Sequence, residues 1–213
     1  MQRMETTQPM AILVHGMGRT PVSMSLLAHR LRRQGYRTAS FAYSATVERF
    51  SSCQARLQHF IQARLGVHPY IVIGHSLGSV LLRSVLQRLP RQPAACFLLA
   101  PPSRPCTWAR LLAPHLPYRL LTGEMGQLLA DEAFMGSVPV PSCRTWIYAG
   151  TRGPRGRYWP IGDEDNDGVL KVSETRLDGV PVVLVPALHT YLMNARPVVR
   201  HLIDSARASV QSP

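Results

Sequence analysis

Residues 74–78 read Gly74-His75-Ser76-Leu77-Gly78, a serine with a glycine two positions away on each side. The apolar run Tyr70–Ile73 leads into it, and a helical pattern follows from Ser79 to about Leu89. A nucleophilic serine presented on a sharp strand-to-helix turn needs these surroundings. The backbone there is strained, and the hydroxyl projects from the end of the strand. Side chains in place of the glycines would strike the neighbouring strand and helix. The Leu77 N–H follows the serine and points at the same reacting centre. A second amide donor to an oxyanion belongs after the first strand. His15-Gly16-Met17-Gly18 stands there, and the Met17 N–H is the choice.

Serine is a weak nucleophile at neutral pH and needs a base. The chain has eight histidines. His29, His59 and His201 fall within helical patterns, His115 in a proline-rich stretch and His68 just ahead of the serine's strand. His15 and His75 belong to the two turns already described. His189 follows the last strand and precedes the terminal helix. Where the chain order is Ser, then acid, then His, that loop is the place for the base. The acid that orients the imidazole and stabilises the imidazolium belongs after the preceding strand. The loop there reads Asp163-Glu164-Asp165-Asn166-Asp167-Gly168, and spacing does not choose among Asp163, Asp165 and Asp167.

The same loop fits a second chemistry. Asp163, Asp165, Asp167-Gly168 and Glu174 follow the spacing of a calcium-binding EF-hand loop, with oxygen ligands at alternate positions and a closing carboxylate. Such a loop needs a helix on each side. Pro160 and Gly162 stand where the entering helix would be, and Pro181 and a strand follow soon after. An aspartate that supplies the acid would also have to serve two roles. The loop is therefore read first as the source of the acid, with calcium as the competing expectation and a solvated acidic loop as the plain one.

These groups must be held by a framework, and the pattern along the chain is strand, helix, strand, helix. Strands are expected at Met10–Val14, Arg37–Tyr43, Tyr70–Ile73, Cys96–Ala100, Trp146–Ala149 and Val182–Val185. Thr20-Pro21 offers an N-cap and a first helical residue for a helix running to about Gln34, closed by Gly35. Val47, Phe50, Leu57, Phe60, Ile61 and Leu65 fall on one helical face, and a last helix is expected over Pro197–Ala208. Alternation of this kind implies a mostly parallel sheet of about six strands with helices on both faces, in one domain over 1–213. Residues 101–142 break the rhythm with prolines and short apolar stretches. They are expected to form a small helical, cap-like insertion, serving either as packing on the rim or as a partial lid and acyl-binding wall.

Composition narrows the setting. At 46% hydrophobic the chain can build a core. No apolar run reaches the ~18 residues that span a bilayer. The polar stretch Met1–Pro9 lacks the pattern of a signal peptide, which places the expectation in the cytoplasm. The net charge is +12, with Lys171 the single lysine. A basic surface favours anionic partners, such as acidic substrates or an anionic membrane touched peripherally. No motif for specific nucleic-acid recognition appears. Cys53, Cys96, Cys106 and Cys143 form no Cys-x-x-Cys pair, so free thiols are expected, with a Cys106–Cys143 bridge as the pairing if the protein is exported.

Taken together, His15-Gly16, Gly74-His75-Ser76-Leu77-Gly78, Asn166-Asp167-Gly168-Val169 and His189-Thr190 resemble small bacterial α/β-hydrolases of the lipase class, from about Ile12 to Leu202. The resemblance implies a minimal α/β-hydrolase fold. It narrows the acid to Asp167, giving Ser76, Asp167 and His189 as triad and Met17 and Leu77 as oxyanion donors. It implies a serine hydrolase that cleaves lipid or small acyl esters through an acyl-serine, with no cofactor. Related chains include esterases and deacylases of lipid anchors, so a thioesterase is the near alternative. An idle hydrolase fold serving as a binding module at an anionic membrane is the distant one.

Overall fold

Strands β1 (Met10–Val14), β3 (Tyr70–His75), β4 (Ala95–Leu99) and β5 (Thr145–Gly150) are buried along nearly their whole length. Apolar runs without alternation require cover on both faces of a sheet. The computed structural model, which describes residues 8–211, places them at the centre of a six-stranded sheet of order β2-β1-β3-β4-β5-β6. All pairings are parallel, more uniformly than the sequence pattern required. The half-exposed strands β2 (Arg37–Phe41) and β6 (Val182–Val185) take the two edges. All but Gln8 and Pro9 of the polar opening stretch lies outside the described residues. No helix among the described residues is long and apolar enough to cross a membrane.

Between the strands run α1 (Ser25–Arg32), α2 (Phe50–Gln62) and α3 (Leu77–Leu86). An insertion of α4 (Thr107–Leu112), α5 (Leu116–Leu128) and α6 (Glu132–Ser137) follows β4. The one-turn α7 (Val172–Thr175) precedes β6, and α8 (Arg196–Gln211) ends the fold. Because β1 is flanked by β2 on one side and β3 on the other, successive crossovers leave β1 in opposite directions. A crevice opens at the carboxyl ends of such a pair. Register sets Val14 beside Gly74, so the turns after β1 and β3 emerge side by side.

Several local expectations are corrected. Thr20 makes no side-chain cap. The segment opens as a 3-10 turn, Pro21–Met24, in which the Ser23 hydroxyl donates to the Thr20 carbonyl. The second strand ends at Phe41, because Tyr43 leaves it to stack on His15 and donate its hydroxyl to the His15 carbonyl at 2.9 Å. Val47 is 80% exposed and outside α2. That helix starts at Phe50, whose N–H donates to the Glu124 carboxylate of α5 at 2.7 Å. A long-range cap of this kind is invisible to periodicity. All four cysteines are free. Cys106 lies beyond the carboxyl end of β4 and Cys143 just ahead of the amino end of β5. The two are thus separated by about a strand length, ~17 Å, far beyond disulfide reach.

Candidate active site

The turn after β3 is built by close approach. A Cβ on Gly74 would lie 2.7 Å from the Ser79 Cα, and one on Gly78 would collide with the carbonyl oxygens of Val14 and His15. Only glycine lets α3 start directly against β1 and β3. The helix begins at Leu77 rather than Ser79, so Ser76 is its N-cap, held at φ 51° and ψ −124°. That conformation is costly for a residue with a Cβ, by about 1–3 kcal/mol. It is held by the Ser76 N–H donating to the Leu99 carbonyl and by the Ser79 N–H donating to the Ser76 carbonyl, each at 2.8 Å.

Ser76 and His189 line one cavity of about 490 Å³ at the carboxyl ends of the strands. His189 begins a 3-10 turn, His189–Asn194, after β6. Its Nδ1–H donates to Asp167 Oδ2 at 2.7 Å, and both side chains are almost wholly buried. The other oxygen of Asp167, Oδ1, accepts the N–H groups of Val169 (2.9 Å) and Leu170 (2.7 Å). The His189 N–H also donates to the Asp167 carbonyl at 2.9 Å. Of the three aspartates that spacing left open, Asp167 is the one carried to the histidine. In the neutral imidazole, a proton on Nδ1 toward the carboxylate leaves Nε2 with a lone pair.

Met17 lines the same cavity, and no protein carbonyl takes its N–H among the described residues. Leu77 turns its side chain into the core. Its amide belongs to the first turn of α3, where no carbonyl stands one turn earlier to accept it. The insertion lines the cavity with Pro102, Cys106, Trp108, Ala109, Leu112 and Tyr118, and Val169 and Leu170 close it from the acid loop.

Two positioning groups escape a sequence reading. The first is His75, fully buried within the turn itself. Its Nε2–H donates to the His189 carbonyl at 3.1 Å, and the two rings lie 4.9 Å apart. Burial and the neighbouring His189 push its pKa down to about 3. It is therefore a neutral strut between the serine turn and the histidine loop. The second is Glu174. One of its carboxylate oxygens accepts the Thr107 N–H (2.7 Å) and hydroxyl (2.6 Å), and the other accepts the Lys171 N–H (2.9 Å). It latches α4, which lines the cavity, to the acid loop.

That latch corrects the calcium expectation. Glu174 is committed to Thr107 and Lys171, Asp165 pairs with Arg155 at 2.6 Å, and Asp167 faces His189. No group of three or more candidate ligands converges among the described residues. The sequence spacing matched an EF-hand, but without flanking helices the loop does not wrap its carboxylates around a centre.

A family model described as Alpha/beta hydrolase family matches residues 11–212. The chain belongs to that family. Among solved structures, the fold is similar to the mature lipase BlEst2 of Bacillus licheniformis, with a TM-score of 0.64 at 16% identity, covering 93% of each chain. It is also similar to a pyrethroid hydrolase from Sphingobium faniae (TM-score 0.60, 15% identity, 95% of this chain and 98% of that one). Tomato methylketone synthase I, complexed with 2-tridecanone, superposes with a TM-score of 0.64 at 14% identity, over 95% of this chain and 99% of that one. No curated protein sequence matches significantly.

Proposed function

We propose that the protein is a serine hydrolase of carboxylic esters that works through an acyl-Ser76 intermediate. The observation that carries this reading is the buried Asp167–His189 pair, 2.7 Å apart, at a cavity shared with a serine on a strained turn. His189 Nε2 takes the Ser76 proton as the hydroxyl oxygen attacks the ester carbonyl. The Met17 and Leu77 amides hold the oxyanion. His189 then protonates the departing alcohol, and water, activated by the same imidazole, cleaves the acyl-Ser76 ester. Asp167 keeps the proton on Nδ1 and stabilises the imidazolium. The apolar walls supplied by the insertion suit the acyl chain.

The test is labelling with a fluorophosphonate probe. Adduct on the peptide containing Ser76, absent from Ser76→Ala, is the expected result. Folded wild-type protein that takes no label would overturn the proposal. A chain-length series of p-nitrophenyl esters then measures how much acyl chain the cavity accepts.

A further inference from the structure

One exposed arginine lines this largely apolar cavity. Arg19 follows the β1 turn and lines the same space as Ser76 and His189. Its guanidinium is not loose on the surface. It donates to the Thr190 hydroxyl at 2.9 Å, and Thr190 directly follows His189 in the chain. No carboxylate pairs with Arg19 among the described residues. No Asp or Glu lines the cavity at all. The carboxylates of the nearby acid loop are engaged elsewhere, Asp165 with Arg155 and Glu164 with Ser173. The charge of Arg19 also reaches the centre of the site, where it adds to the depression of the His75 pKa.

An arginine held beside a reacting centre, with its fork unneutralised, is built to meet an anionic oxygen group. From this position we infer that the substrate is an anionic amphiphile: an ester whose apolar acyl chain fills the cavity and whose alcohol portion carries a phosphate or carboxylate that meets Arg19. The inference rests on the ester-hydrolase reading above and adds a substrate class to it. The group contacted is the leaving portion, because the acyl side faces the apolar walls of the insertion. A neutral ester leaves the guanidinium with the Thr190 hydroxyl and solvent. An anionic one gains a charge-assisted contact beside a partly desolvated cavity.

The test compares octanoyl esters of glycerol, glycerol 3-phosphate and glycerate, all below their aggregation concentrations. The readout is the ratio of kcat/KM for each anionic ester to that for the neutral one. Arg19 is solvent-exposed, so the expected preference in wild type is modest, about five- to tenfold. It should shrink as ionic strength rises. Arg19→Gln should bring the ratio to about one, and Arg19→Lys should retain part of it. Preference for both anionic esters identifies charge as the feature read. Preference for the phosphate ester alone identifies a phosphate-bearing headgroup. A wild-type ratio of about two or less, or an unchanged ratio in Arg19→Gln, overturns the inference.

A second arm needs no turnover. Tryptophan fluorescence, with Trp108 in the cavity wall, reports octyl phosphate and octanol binding to Ser76→Ala protein. Tighter binding of the phosphate that disappears with Arg19→Gln supports the inference even if no ester is cleaved. Equal binding of the two, beside robust ester hydrolysis, removes the inference and leaves the hydrolase reading intact.

Discussion

Asp167→Asn is the substitution that separates a catalytic acid from a structural one. The side chain is buried, and its two oxygens have different partners: Oδ1 accepts the Val169 and Leu170 amides, Oδ2 the His189 ring. An asparagine has one acceptor oxygen and one NH₂. With its oxygen toward Val169 and Leu170 it keeps both backbone bonds and turns the NH₂ to His189. The reverse orientation would set the NH₂ against two N–H donors, at a cost of about 2–6 kcal/mol for two buried, unsatisfied groups. The amide is thus fixed with its NH₂ donating to His189 Nδ1. That nitrogen must then be the acceptor and Nε2 the protonated one, so the imidazole cannot take the Ser76 proton. The expected loss in kcat/KM is about 10⁴-fold at neutral pH, or about 5 kcal/mol of transition-state stabilisation. The melting temperature should change little, since both backbone bonds survive. Asp167→Ala should lose the rate and stability together, because it also strands two buried amides. Steady-state hydrolysis of a p-nitrophenyl ester, paired with thermal unfolding, reads both quantities. An asparagine variant within about tenfold of wild type would refute the role given to Asp167.

Other consequences are open to measurement. Gly78→Ala places a Cβ against the carbonyls of Val14 and His15; we expect a loss of about 1–3 kcal/mol or more, seen as a lowered denaturant midpoint, and an unchanged midpoint would contradict the close-packed turn. His75 is neutral when folded, with its pKa pushed down to about 3 from an ordinary value of 6.5. The unfolded chain therefore binds the extra proton in that window, so this contribution is fully present above about pH 6.5 and is lost as pH falls toward 3, with a limiting slope of about 1.4 kcal/mol per pH unit. Unfolding free energies of wild type and His75→Gln across pH 7 to 4 should differ in slope by up to one proton, and parallel curves would refute this. Glu174→Ala removes three hydrogen bonds, two of which hold Thr107 of α4 to the acid loop; it should cost about 2–4 kcal/mol and raise KM for long acyl esters more than it lowers kcat. Millimolar calcium should leave the wild-type melting temperature unchanged, whereas a clear upward shift would revive the metal reading of the loop.

How much of this was legible in the residues varies with the range of the interaction responsible. The strands could be read because burial on both faces demands uninterrupted apolar runs, as in Tyr70–Ile73 and Cys96–Ala100. The serine turn could be read because its glycines answer local collisions. Helix starts were less legible where distant groups set them. Phe50 is capped from α5, and Ser76 is forced into the N-cap by packing of α3 against β1. The acidic loop is the sharpest case. Its spacing satisfies a calcium motif, and linear order left three aspartates equivalent. A resemblance to related hydrolases pointed to Asp167.

By itself, then, the sequence determined the alternation of strand and helix, the turn that presents Ser76, and the order in which serine, acid and histidine arrive. These follow from local sterics and from the two-faced burial of a parallel sheet. Tertiary structure brought Asp167 to His189, and it alone decided that His75 and Glu174 serve as struts, that Cys106 and Cys143 lie at opposite ends of the sheet, and that Arg19 lines the cavity with no carboxylate partner among the described residues. Each of those facts depends on where two distant loops come to rest. Their positions are set by strand order and by backbone hydrogen bonds such as that from the His189 amide to the Asp167 carbonyl, which no spacing along the chain encodes.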